Sequence, residues 1–189
     1  MTRSSATGLF VDTFREGMLS ALGHDLRIAV ERFELRLERG ELTGSVELAS
    51  LRVLGCVRRG QLDHGAPSPG ERAEIEQRMR GEILGVAQHP RATLRGSVRQ
   101  AGRDWSLAGT LELRGRAQAF DACITRSGEL LTSSVELELS RFGIAPFRAL
   151  GGALRVADRV LVRVALGAAE AEPELDLAGL TGCWQRPRP

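Results

Sequence analysis

The chain contains no tyrosine, and aromatic residues make up only 4% of it. It also contains no lysine, so all 26 basic positions are arginine. Arginine is permanently charged and can make planar bidentate contacts. Here, however, the arginines alternate with apolar residues along extended segments, which is how a solvated face reads, and an arginine-only basic set is a mark of GC-rich coding. The formal net charge is only +2, and the charges are interspersed. That leaves no basic patch for nucleic acid or for an anionic membrane surface. Cys56, Cys123 and Cys183 are odd in number and far apart, so they fit reduced thiols rather than a disulfide framework. No run approaches the roughly 20 apolar residues needed to span a bilayer. The opening MTRSSATGLFVD has no apolar core and no cleavage-like site, so a cytoplasmic protein with no membrane-spanning segment is expected.

Constellations that carry chemistry are also scarce. His24, His64 and His89 do not form metal-ligand spacings such as H-x3-H or HExxH. No serine stands in G-x-S-x-G, and no cysteine has a base nearby in sequence. The Leu150-Gly151-Gly152-Ala153 stretch lacks the phosphate-loop pattern and reads as a flexible turn. His24 beside Asp25 is the sharpest polar pair, and a small enzyme using both is the third reading of the chain. Neighbours in an extended segment point apart, which argues for a polar mouth or a strand-start hydrogen bond instead. No catalytic residue, no metal ligand and no required cofactor are assigned.

What the sequence has in quantity is period-two alternation, the signature of half-buried strands. Leu9 to Arg15 is a short first strand. Leu26 to Arg39 is long: Ile28 and Val30 share one face, then Phe33, Leu35 and Leu37 share one, with the parity flipping between Val30 and Phe33. A bulge near Glu31–Arg32 would restore the facing. In Leu42 to Leu54, Leu42, Val46 and Leu48 point one way, and a second flip near Ala49–Ser50 brings Leu51 and Val53 inward. Ala92–Gln100, the segment carrying Trp105, Leu107, Leu111 and Leu113, the segment carrying Phe120, Ala122 and Ile124, Leu131–Leu139, and Val160–Leu166 continue the pattern. Gly40-Glu41, Gly102, Gly115 and Ser127-Gly128 mark turns between them.

Arg58 to Gly70 is polar and reads as the main connection. A helix follows, with Ser68 as its cap, Pro69 in its first turn and Glu71 completing a capping box. Ile75, Met79 and Ile83 form an apolar stripe, Glu76 and Arg80 an i,i+4 pair on the wet side, and Gly85 a terminator. The expectation is therefore all-β: an eight-stranded antiparallel barrel with one α-helix between its third and fourth strands. Closure removes the exposed edges that an open sheet of this pattern would present. Residues 1–167 form this one domain and residues 168–189 a C-terminal tail.

Several local motifs, in order, resemble the YceI-like family of lipocalin-like, polyisoprenoid-binding proteins. They are Phe10-Val11-Asp12, Gly23-His24-Asp25, Met79 to Leu84, and His89-Pro90-Arg91-Ala92. Leu107 to Gly115, Arg141-Phe142-Gly143-Ile144 and Asp158-Arg159-Val160 complete the series, so the resemblance covers about residues 9–166. It departs where relatives often carry tyrosine before the proline, a position held here by His89. The resemblance implies a lipocalin-like barrel with a long apolar pocket for an isoprenoid chain or similar amphiphile. The expected partner is an apolar small molecule, with a bound isoprenoid or other long-chain lipid and no nucleic acid, and a homodimer is left open. Phe33, Leu35, Val46, Leu48, Leu107, Leu111, Val135 and Leu137 are the candidate ligand-binding residues. The competing reading is a structural or protein-interaction barrel with a filled core, since inward aliphatics serve packing equally well.

Overall fold

The computed structural model describes residues 7–16, 25–145, 148–149 and 154–167. Its strands are β1 (Gly8–Glu16), β2 (Leu26–Val30), β3 (Phe33–Glu38), β4 (Glu41–Glu47), β5 (Leu51–Arg58), β6 (Gln61–Asp63) and β7 (Arg91–Ala101). They continue as β8 (Asp104–Leu113), β9 (Arg116–Ser127), β10 (Leu130–Glu138), β11 (Arg148–Ala149) and β12 (Leu154–Gly167), with one α-helix among the described residues, α1 (Pro69–Arg78), between β6 and β7. All form a single antiparallel sheet in the order β3-β4-β7-β8-β9-β10-β12-β1-β2-β5-β6, with β11 against β12.

This corrects the expected count: among the described residues the sheet has twelve strands, not eight. Two breaks and two additions account for the difference. The long second strand is interrupted at Glu31–Arg32, where the parity flips, leaving β2 and β3. The third is interrupted by a 3-10 turn, Leu48–Ser50, leaving β4 and β5. β6 pairs with β5 inside what reads as a loop in the sequence, and β11 is a two-residue strand on β12. In this numbering the helix lies between β6 and β7, after β4–β5, which read as the third strand, and before β7, which read as the fourth.

The two breaks stand side by side and satisfy each other. The Glu31 N–H donates to the Ser50 carbonyl at 3.2 Å and the Glu47 N–H to the Arg32 carbonyl at 3.0 Å. Ser50, 1% exposed, accepts from the Arg32 N–H at 3.0 Å and donates to the Glu47 carbonyl at 2.7 Å. Main-chain groups that the interrupted ladder frees are thus paired, as burial demands. Because β2 runs on into β3 and β4 into β5, the two ends of the strand order belong to one kinked hairpin. β2 pairs with β1, and β4 pairs with β7. The sheet therefore curls round a common interior into a barrel-like fold.

Three hairpin turns are built on an arginine followed by glycine with both residues at positive φ: Arg39-Gly40 (52° and 80°), Arg59-Gly60 (51° and 79°) and Arg114-Gly115 (52° and 70°). That geometry matches the twist of the flanking strands and favours glycine at the second position. The first of these sits one residue earlier than the Gly40-Glu41 turn read from sequence.

The capping box at α1 is present: the Ser68 side chain accepts from the Glu71 N–H, and the Glu71 carboxylate accepts from the Ser68 N–H at 2.8 Å. Beyond Arg78 the helix widens into a π turn, Met79–Ile83, closed by the Leu84 N–H on the Met79 carbonyl at 2.9 Å. A spacing of four on a 3.6-residue helix rotates by about 40° per step. The wider turn offsets that drift, so that Ile75, Met79 and Ile83 all border the interior. Gly85, at φ 59°, ends the segment.

On the outer face, Asp12 of β1 is 5% exposed and joins three adjacent strands. It accepts from Arg27 of β2 at 2.7 and 2.8 Å and from Arg163 of β12 at 2.8 Å. The hydrogen bond to Asp12 holds the Arg27 pKa above its ordinary value.

Candidate ligand cavity

Alternate residues of every long strand converge on a cavity of about 890 Å³, near the upper end of the range for small-molecule sites. Its wall is mostly aliphatic because the inward parity of each strand is Leu, Val, Ile or Ala. Val11 comes from β1, Ile28 from β2, Leu94 from β7, Ile124 from β9, and Val160, Val162 and Val164 from β12. Phe120 of β9 is an aromatic member of this wall, and a Cβ on the facing Gly109 of β8 would come within 3.1 Å of its ring. Glycine there lets the ring lie flat against the next strand.

All eight residues picked from the sequence border this cavity. Phe33 and Leu35 of β3 face Val46 and Gly44 of β4, and Leu48 follows at the break. Leu107 and Leu111 of β8 lie opposite Val98 and Leu94. Val135 and Leu137 of β10 lie opposite Val162 and Val160. Sequence reasoning missed the contribution of α1 and its π turn through Ile75, Met79 and Ile83, although their four-residue stripe was the visible signal. It also missed a charged rim of Arg15, Glu71, Glu74 and Arg78. No local motif marks that rim, since its members come from β1 and α1.

The helix is fixed over the cavity by Glu76. Its carboxylate accepts the Val53 N–H of β5 at 2.9 Å and an Arg80 N–H at 2.7 Å, and lies 3.9 Å from Arg52. The i,i+4 pair read from the sequence is there, but not on the wet side: the Glu76 side chain is 15% exposed. A β-strand N–H waiting for an acceptor cannot be seen in helix periodicity.

Asp25 accepts the main-chain N–H of Arg15 at 2.9 Å and sits 3.7 Å from its guanidinium, which is the strand-start hydrogen bond expected of it. His24 lies outside the described residues, as do Leu150 to Ala153 and residues 168–189. His64 takes part through its carbonyl, which accepts from Arg72. Among the described residues no group of three or more His, Cys, Asp or Glu side chains is placed to hold a metal ion. Among the same residues no helix is long and apolar enough to cross a membrane. Cys56, 1% exposed, has its pKa raised above the ordinary thiol value chiefly by burial.

An antiparallel, barrel-like sheet with an apolar interior and a helix at its rim defines a cavity-bearing β protein. Residues 14–168 match the YceI-like domain, and the chain belongs to that family. Two solved structures show the same fold. One is BcnA of Burkholderia cenocepacia, at 16% identity and a TM-score of 0.57, with 83% of this chain and 94% of that one covered. The other is a polyisoprenoid-binding domain from Saccharophagus degradans implicated in plant cell wall breakdown, at 15% identity and a TM-score of 0.54, covering 85% and 93%. No curated protein matches the sequence.

Proposed function

We propose that the protein binds a long apolar ligand in its interior, for transport or sequestration, without catalysing a reaction. The ligand class is an isoprenoid, a quinone-like molecule or a fatty-acyl chain. The observation that carries this reading is the cavity of about 890 Å³, bordered by aliphatic residues from nearly every strand. An ordinary packed core leaves few voids larger than a water molecule, so a filled structural barrel does not account for it. The polyisoprenoid-binding description of the Saccharophagus domain points to the same ligand class.

Each CH2 taken out of water contributes about 0.8 kcal/mol. Ten such groups would give about 8 kcal/mol before ordering costs, on the scale of micromolar affinity. Specificity then comes from the length and shape of the interior. Phe33, Leu35, Val46, Leu48, Leu107, Leu111, Val135 and Leu137 are the residues proposed to contact the chain. Native mass spectrometry with organic extraction of freshly purified protein, followed by titration with polyprenols, tests the reading. A recovered lipid or saturable uptake is the expected result. No lipid and no uptake of any long-chain probe would overturn it.

A further inference from the structure

The sheet is split between β9 and β10. Their ladder covers four pairs only, from Leu130–Ser127 to Ser133–Ile124, although β9 begins at Arg116 and β10 runs to Glu138. On their far sides both strands stay paired along these stretches: β8 follows β9 as far as Leu113–Arg116, and β12 follows β10 as far as Glu138–Arg159. Continued in register, the missing ladder would set Asp121 opposite Glu136, and like charges directly opposite are destabilising. Past the split, Gln118 of β9 donates to the Arg141 carbonyl at 3.1 Å, so the gap is bounded at both ends. It opens on the interior: Phe120 and Ala122 on one edge, Ser134, Val135 and Leu137 on the other, and Ser133 at the last ladder pair all border the cavity.

We infer that this split is a lateral opening at which the polar end of a bound chain reaches water, and that it selects a neutral hydrogen-bonding head group, an alcohol or a carbonyl. The inference rests on the binding reading above and adds the place and chemistry of the head. Alternate main-chain N–H and C=O groups along each unladdered edge face the gap, and a polar head can bridge them as water does. The Ser133 hydroxyl on the inner parity and the Ser134 hydroxyl on the outer parity add a donor and acceptor at each side of the opening. The charged groups around the opening are mostly acidic: Asp121 on β9, and Glu136 and Glu138 on β10, all on exposed residues. Arg159 of β12, opposite Glu138 and 3.4 Å from Glu136, offsets part of this charge, and Arg163, opposite Ser134, is engaged by Asp12. An anionic head is therefore disfavoured.

The test uses the full chain with Cys183→Ser and Ser134→Cys, which places a thiol across the opening from Cys123. A short bismaleimide joins the two. Uptake is followed with three probes of equal chain length: geranylgeraniol, geranylgeranyl phosphate and the headless hydrocarbon. The expected results are at least tenfold slower geranylgeraniol uptake after linking, and tighter binding of the alcohol than of the phosphate. In the unlinked chain with its native cysteines, Ser133→Ala with Ser134→Ala should weaken the alcohol about fivefold to tenfold, the value of one or two hydrogen bonds, and leave the hydrocarbon unchanged. Unchanged uptake after linking, or stronger binding of the phosphate, overturns the inference while leaving chain binding intact. Failure of all three probes to bind the unlinked protein overturns the binding reading itself.

Discussion

Removing the Glu76 carboxylate is expected to loosen α1 from the sheet and to lower stability by an amount that the contacts define. The Val53 N–H bond to a charged acceptor is worth about 1.5–3 kcal/mol. The i,i+4 pair with Arg80 adds about 0.3–0.5 kcal/mol, and Arg52, at 3.9 Å and partly exposed, adds a few tenths at most. Glu76→Ala should therefore cost about 2–4 kcal/mol. For a chain of this size each kcal/mol moves Tm by about 2–4 °C, so the Tm followed by circular dichroism should fall by about 4–16 °C. Glu76→Gln keeps an acceptor for Val53 and gives up only its charge, so it should lose about half as much. Ile75, next to this anchor in sequence, and Met79, about one turn beyond it, both border the cavity, and the alanine variant should also release a bound chain faster. A Glu76→Ala protein melting within roughly 2 °C of wild type, or a glutamine variant as damaged as the alanine one, would refute the idea that this carboxylate docks the helix.

Leu111→Trp places an indole in the cavity beside Leu94; with open volume to receive it, stability should fall by less than the roughly 1–3 kcal/mol of overpacking, while long-chain uptake is lost. A larger stability loss with uptake unchanged, read from urea unfolding and probe titration, would mean a filled core. Asp12→Asn breaks the clamp across β2, β1 and β12; with Arg27 and Arg163 partly solvated, the expected loss is about 1–2 kcal/mol by urea midpoint. Cys56 keeps its proton to higher pH in the fold than in the unfolded chain. Its contribution to stability is thus whole below the unfolded thiol pKa and is lost as pH climbs through the folded value. Urea midpoints of wild type should fall between pH 8 and 10 more steeply than those of Cys56→Ala, and equal slopes would count against burial as the cause.

Alternation made the strands readable because each side chain of a pleated segment must choose water or interior. That choice put Leu107, Leu111, Val135 and Leu137 on the inward faces of their strands. It also located the flips at Glu31–Arg32 and Ala49–Ser50, where β2 and β4 end. It could not show how each flip is achieved. One is a gap and the other a 3-10 turn, and they interlock through the side chain of Ser50, a contact between residues 18 apart in sequence. The short β6 was hidden for a related reason: Gln61–Asp63 has no apolar periodicity of its own, and exists because Arg59-Gly60 folds it back onto Val57.

The site was legible where it is repetitive and illegible where strands separate. A wall of aliphatics repeats with the strand period, so its members announce themselves. The split between β9 and β10 depends on which residues oppose one another, and that is fixed by register. Asp121 and Glu136 each look like ordinary outward charges on amphipathic strands. Only when the Ser127–Leu130 turn sets the pairing does each become the other's would-be neighbour. The same two carboxylates that make each strand soluble then oppose its pairing with the next. The opening is thus a property of the pair of strands, written in neither one alone, and exchanging one of the acids for arginine is the smallest change that should draw the edges together.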